Sequence, residues 1–254
     1  MPGLWSLMRW VGHGFVVLLL TVLTQLGGLA WLIALTARRK LLVFVLAYGA
    51  CWAATNALAP MTGRVPLPCF AEPLRMQSSA YCLLMRNFVS PDLAEVAEDA
   101  AARVADTYPG TITLALDGGF PFLDGFPLLP HLSHDDGGKL DFAFFYANPG
   151  GEYLPGKTRS PIGYWAFETL SVQMCPEAWP TLRWDLAGLQ PLWPDRPLEP
   201  ARTHALIEAL AADERVEKVF VEPPLAHQLG ISGPKVRFQG CRAARHDDHI
   251  HVQL

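Results

Sequence analysis

Two stretches decide the reading of this chain: His131-Leu132-Ser133-His134-Asp135-Asp136-Gly137-Gly138-Lys139-Leu140-Asp141 and, at the C-terminus, His246-Asp247-Asp248-His249-Ile250-His251. Five of the eight histidines fall within them. The second stretch leads into a final strand expected over 248–254. Side chains two apart on a strand share a face, so His249 and His251 project together while Ile250 and Val252 turn the other way. Two imidazoles on one strand face suit a metal ion. Zinc takes histidine nitrogen and carboxylate oxygen, and a catalytic zinc keeps three protein ligands and an open position. The first stretch can supply the remainder: His134 sits in a turn loosened by Gly137 and Gly138, and Asp141 opens the next strand. An HxH alone reads as surface histidines on a polar terminal strand. A second histidine–acid window in the same chain shifts the balance toward a site.

Outward from these windows the chain alternates helix and strand irregularly. Ser90-Pro91-Asp92 opens a helix, with serine at the cap and proline at the first helical position. Leu93, Val96, Ala100 and Val104 follow at helical spacing, and Tyr108-Pro109-Gly110 ends it. Thr111 to Leu116 and Leu140 to Tyr146 read as strands, and residues 117–133 as an ordered Gly- and Pro-rich loop. Glu199 to Ala212 reads as a helix, Val216 to Val221 as a strand, and Pro224 to Leu229 as a short helix. Residues 147–198, rich in tryptophan and proline, match no regular pattern. The mixture without regular βαβ spacing predicts an α+β domain over 90–254 around an antiparallel sheet with flanking helices. Residues 61–89, with Pro66, Pro68 and Pro73, read as a linker that packs onto it.

The first 60 residues differ in kind. No charged residue lies between His13 and Arg38, and a second uncharged run extends from Leu41 to Gly63. A spanning helix needs ~20 mostly apolar residues, so about 14–37 and 41–60 are expected to form a transmembrane hairpin. Arg38-Arg39-Lys40 link the two runs. Positive residues in short loops stay cytoplasmic, which places the hairpin tip inside, and Arg9, Arg64 and the domain outside. A formal net charge of −4 gives no basic footprint for nucleic acid. Cys51 falls in the second run. Cys69, Cys82, Cys175 and Cys241 follow it, an even count compatible with two disulfides outside the cytoplasm, in any of three pairings. They form no CxxC pair, which argues against a structural zinc knuckle.

The first window resembles the HxSHxxGxxxD signature of the penicillin-insensitive murein endopeptidases, met by His131, Ser133, His134, Gly137 and Asp141. Those enzymes belong with the D-alanyl-D-alanine metallopeptidases, the lysostaphin-type enzymes and the hedgehog domain. The closing HxxHxH is met by His246, His249 and His251, and Arg215 to Pro223 resembles the strand before the family's last helix and strand. The resemblance runs in order over about 90–254 and leaves 147–198 unaligned. It implies that His134, Asp141 and His251 bind Zn2+. It also implies that His249 is the general base or stabilises the oxyanion, and that His246 assists near the metal. His131 fits the signature without an assigned role. The carboxylates nearest the HxH are Asp247 and Asp248. Strand alternation turns Asp248 away, which favours a histidine base. Asp135, Asp136 and Asp247 read as solvated turn residues or as partners that orient a ligand imidazole.

The expected activity is therefore that of a membrane-anchored zinc peptidase cutting peptide cross-links of murein. It would be held at the bacterial cytoplasmic membrane by several passes, with its domain on the outer side and peptidoglycan peptides as its partner. A non-catalytic zinc domain that binds a wall peptide or protein, and a D-alanyl carboxypeptidase using Arg183, Arg237 or Arg242 for a terminal carboxylate, are the alternatives. Phe120, Phe122 and Phe126 in the loop before the first window depart from the family, so the metal motif transfers better than the substrate.

Overall fold

The computed structural model describes residues 2–169, 174–176 and 178–254. It opens with three helices, α1 (Pro2–Thr24), α2 (Gly27–Leu35) and α3 (Lys40–Leu58), the last continued by a 3-10 turn over Ala59–Thr62. Gly3–Thr24 and Lys40–Thr62 are long and apolar enough to cross a membrane. The first apolar run is nevertheless not the single span expected over about 14–37. Gln25 adopts a left-handed φ of 64°, and the chain doubles back. Thr24 Oγ1 accepts from Gly27 N at 2.8 Å. Gly28 lies so close to α1 that a Cβ there would sit 1.9 Å from Thr21 Oγ1. His13 meets Trp31 at 6.0 Å, and Trp31 meets Phe44 at 5.5 Å. So α2 runs antiparallel to α1, and α3 returns along α2. Arg9 therefore lies at the same end of the helices as Arg38, Arg39 and Lys40, not at the opposite end.

The rest of the chain forms strands β1 (Val65–Pro66), β2 (Leu74–Met76), β3 (Phe88–Val89), β4 (Thr113–Ala115), β5 (Lys139–Ala143), β6 (Lys218–Phe220), β7 (Val236–Arg237) and β8 (His249–Gln253). Between them lie helices α4 (Ser79–Leu83), α5 (Pro91–Thr107), α6 (Pro200–Ala212) and α7 (Pro223–Gln228). β1 and β3 pair alone, and the other six make one sheet in the order β2-β4-β5-β8-β6-β7. The architecture is α+β as expected, but the sheet is mixed rather than antiparallel. Its centre, β4-β5-β8-β6, is antiparallel, and the edge pairs β2/β4 and β6/β7 are parallel. Parallel neighbours need a crossover. α5 lies in the connection from β2 to β4, and α7 in that from β6 to β7. Residues 61–89, read as a linker, contribute β2 to the sheet, and the Cys69–Cys82 disulfide ties them down.

α5 starts as its sequence dictates: Ser90 Oγ accepts from Leu93 N at 3.3 Å, and Pro91 stands at the first position. Leu93, Val96, Ala97, Ala100 and Val104 are buried, together with Leu206, Ile207 and Leu210 of α6. Each large aliphatic side chain buried in this way contributes about 1.5–3 kcal/mol. Leu140 and Phe142 of β5 and Ile250 and Val252 of β8 join the same core. Alternation along both strands then turns Asp141, His249 and His251 to the opposite face. The long segment after β5 carries Tyr164 and Trp165 to that face, and the Cys175–Cys241 disulfide joins it to the approach to β8. The alternatives left open for the cysteines close as 69–82 and 175–241, with Cys51 free.

Candidate metal centre

The register of the central pair builds the site. Asp141 stands directly opposite His251, and Ala143 opposite His249. His134 comes from the loop between β4 and β5. Its Nδ1 donates to Gly118 O at 2.9 Å, which makes Nε2, aimed inward, the free acceptor of the neutral ring. Nε2 lies 3.2 Å from His251 Nδ1 and 3.4 Å from Asp141 Oδ1, and His251 Nδ1 is 2.8 Å from the same oxygen. All three residues are buried, and their ligand atoms lie within 4.8 Å of one another. Two imidazole nitrogens and a carboxylate oxygen thus crowd one point, with at most one proton between them. That donor set fits a divalent cation, and zinc is among those it suits. The cluster can hold a metal ion.

Around it the structure adds partners that the sequence did not reveal. Tyr164 donates to Asp141 Oδ2 at 2.7 Å and accepts from Asp117 N at 3.0 Å. Asp117 takes a bidentate pair from Arg86 at 2.6 and 2.8 Å and receives His131 Nδ1 at 2.8 Å. His131 therefore has a place: its Nδ1 is 3.7 Å from Asp141 Oδ2, beside the cluster rather than within it. Tyr164 lies in the unpatterned segment, and Asp117 lies two residues past β4, in a loop where nothing in the sequence singles it out. A mainly apolar cavity of about 190 Å³ adjoins this network, lined by Tyr81, Leu84, Arg86, His131 and Tyr164 among others.

His249 and His246 complete the histidine group. His249 Nε2 is 3.8 Å from Asp141 Oδ1, and its ring lies 4.9 Å from that of His246. Asp248 does not point away. Strand pairing begins only at His249, so Asp248 folds back, with Oδ1 on His249 Nδ1 and Oδ2 accepting from Trp165 N at 2.6 Å. Trp165 holds a left-handed φ of 65°, a strained conformation that survives only where the surroundings enforce it. Its carbonyl accepts from Gln190 Nε2 and Trp193 Nε1, each at 2.8 Å. Asp247 is buried against Arg245 rather than solvated. Asp136 is a turn residue that accepts from Gly138 N and pairs with Lys139.

Protonation follows the charges. Burial raises the Asp141 carboxyl, but the surrounding histidines outweigh it and hold it well below the usual range. Burial disfavours the charged form of His134, and Asp141 overcomes this and raises its pKa. Burial also opposes the charge on His249, yet Asp248 and Asp141 push it up to about 9. Burial takes His251 down to about 4, and places His246 well below its ordinary value, reinforced by His249 and His251. His246 is thus a neutral, buried imidazole whose Nδ1 has no hydrogen-bond partner among the described residues.

No family model and no curated protein matches the chain.

Proposed function

We propose that this chain is a membrane-anchored zinc metallopeptidase that hydrolyses peptide cross-links of cell-wall murein. The observation that carries the reading is the convergence of His134, Asp141 and His251 on one buried point with His249 beside them. His134 Nε2, Asp141 Oδ1 and His251 Nδ1 would hold the zinc. Bound there, zinc supplies Lewis-acid chemistry, polarising a carbonyl and lowering the pKa of water toward ~7. His249 is the acid–base group: Asp248 on Nδ1 fixes the ring and favours its charged form, so Nε2 would donate a proton to the leaving amine, and would take one from water only where the positive charge of a bound ion had first lowered its pKa. Its charged form would also stabilise an oxyanion. His246, uncharged, packs its ring at a tilt against that of His249 at 4.9 Å and would assist beside the ion. Tyr164 and Gly118 orient the ligands Asp141 and His134.

The murein substrate and the peptidase activity rest on the two-window resemblance. The anchor rests on the two long apolar helices. An outward-facing domain is supported by the two disulfides and by Arg9, Arg38, Arg39 and Lys40 gathering at the end of the helices away from it. Digestion of purified murein by the full zinc-loaded chain should release uncross-linked muropeptides, and His134→Ala should abolish the release. Absence of release by the zinc-loaded wild type would sink the hydrolase reading and leave a zinc domain that binds its peptide without cutting it.

A further inference from the structure

The helices and the domain meet along two segments. Tyr48 donates to Leu83 O at 2.6 Å, and Trp52 Nε1 to Cys82 O at 2.9 Å, so α4 rests on α3. Phe122 N donates to Gln25 Oε1 at 3.1 Å, and Thr62 Oγ1 to Pro121 O at 2.9 Å, so the loop after β4 rests on the ends of α1 and α3. Ala59, Met85 and Phe88 are buried at the junction with Leu26, Tyr48 and Phe122 packed around them. Four large apolar side chains nevertheless stand out in the open around it: Met61 at 82% exposure, Phe70 at 79%, Leu83 at 59% and Leu123 at 59%. Each is tied to the junction by sequence or by a bond. Met61 lies in the α3 extension, and Leu83 carries the carbonyl bonded to Tyr48. Phe70 follows the cysteine linked to Cys82, and Leu123 follows Phe122.

Depth decides what covers them. Tyr48 lies eight residues from the start of α3, about 12 Å along the axis at 1.5 Å per residue. That is less than half of a ~30 Å hydrocarbon layer. The domain therefore meets α3 near mid-helix, and the remaining turns of α3 run beside it. Val45 and Leu46 just before Tyr48, and Leu58 at the far end of α3, remain exposed. A bilayer that covers them also reaches Leu83 and its neighbours. Arg64 and Asp124, the charged pair at the junction, neutralise each other.

We infer that Met61, Phe70, Leu83 and Leu123 form a collar that sits in lipid and seats the domain on the bilayer. The inference rests on the membrane-anchor reading. It also assigns a substrate class to the proposed active site. The cavity beside His131 and Tyr164 is walled by Ala80, Tyr81 and Leu84 on one side and Leu129 and Pro130 on the other, the same two segments that rest on the helices. With the collar in lipid, this cavity would lie close to the bilayer, where it would meet peptides tethered to the membrane before those of distant wall.

The test uses the full chain in vesicles of phosphatidylethanolamine and phosphatidylglycerol. A nitroxide is attached through a ketone-bearing amino acid, which leaves the disulfides untouched, at 61, 70, 83 or 123. Position 45 on α3 and position 152 on the exposed face of the domain serve as references. Broadening by oxygen, which partitions into lipid, is compared with broadening by a water-soluble nickel chelate. The collar probes should shift toward oxygen as at 45 and away from the nickel exposure at 152. Nickel exposure at the collar with a lipid signal at 45 overturns the collar and leaves the anchor standing. Shielding of the collar from both reagents shows a protein partner instead of lipid and also overturns it. A water signal at 45 overturns the anchor reading itself.

Discussion

Tyr164→Phe isolates one atom of the candidate centre. The ring stays, with its packing on His131 at 4.5 Å and His249 at 5.0 Å. Only the hydroxyl that donates to Asp141 Oδ2 at 2.7 Å is lost. A hydrogen bond to a charged group contributes about 1.5–3 kcal/mol, and each 1.4 kcal/mol is tenfold in affinity. Zinc binding should therefore weaken by about 10- to 100-fold, the range seen when partners of a metal ligand are removed. The hydroxyl also accepts from Asp117 N, so stability should fall by about 1–3 kcal/mol for that unpaired amide. The two effects separate in the assay. Affinity is read by competition against a chelating fluorophore with the chain still folded, and stability by thermal melting. Tyr153→Phe is the control: its hydroxyl bonds the Ile112 backbone, at 3.1 and 3.2 Å, away from the cluster, and it should lose stability without losing zinc affinity. A Tyr164→Phe variant that binds zinc as tightly as the wild type would refute the assignment of Asp141 as a ligand held by Tyr164.

The His134 pKa is raised above 6.5, and only the neutral imidazole binds a metal. Zinc affinity measured across about pH 5 to 8 should therefore fall on acidification, starting above 6.5, and a flat profile would contradict the ligand set. Asp117→Asn leaves Arg86 buried without its counter-charge and should cost about 3–5 kcal/mol by chemical denaturation. Burial raises the Asp117 carboxyl, but His131 and Arg86 bring it below 3.8, so its contribution is present above pH 3.8 and is lost as pH drops through the lower folded value. His246→Leu removes a buried nitrogen without a partner, so stability should hold or rise while turnover falls and zinc remains bound. Unchanged turnover would remove His246 from the proposed mechanism.

The sequence reached the site through residues whose geometry is local. Alternation alone placed His249 and His251 on one face and Ile250 and Val252 on the other, because a slip by one residue would turn the imidazoles into the apolar core and the aliphatic side chains out of it. The helix at 91 was legible for a similar reason: Ser90, Pro91 and the apolar stripe agree with one another. What was missed is set by distant contacts. Nothing near Tyr164 marks it as the donor to Asp141, since its segment is irregular and is positioned by Asp248 and by the Cys175–Cys241 bridge. β2 hides among prolines because a three-residue edge strand needs only its pairing with β4, not a pattern. The reversal at Gln25 is equally silent. An uncharged apolar run has the same hydropathy whether it continues or turns back, and the glycines that permit the close return, Gly27 and Gly28, also occur within ordinary spans.

The charges buried around the site explain why its centre asks for a cation. Asp117 has Arg86, Asp247 has Arg245, and Glu222 has Arg183. Asp248 has His249, whose proton it helps retain up to about 9. Each of these acids is matched by one positive group of its own, as buried charge requires. Among the described residues Asp141 has no arginine or lysine partner. It faces four imidazoles, of which His131 is bonded to Asp117, His251 is driven to about 4 and His249 is already matched to Asp248. Only His134 could carry a proton for it, and His134 Nδ1 is committed to Gly118 O while Nε2 is shared with His251. A single proton there would neutralise Asp141 but would leave the three donor atoms competing for it. One divalent ion bonds all three at once, and the surplus positive charge it brings is what a carbonyl oxygen or an ionising water would then use.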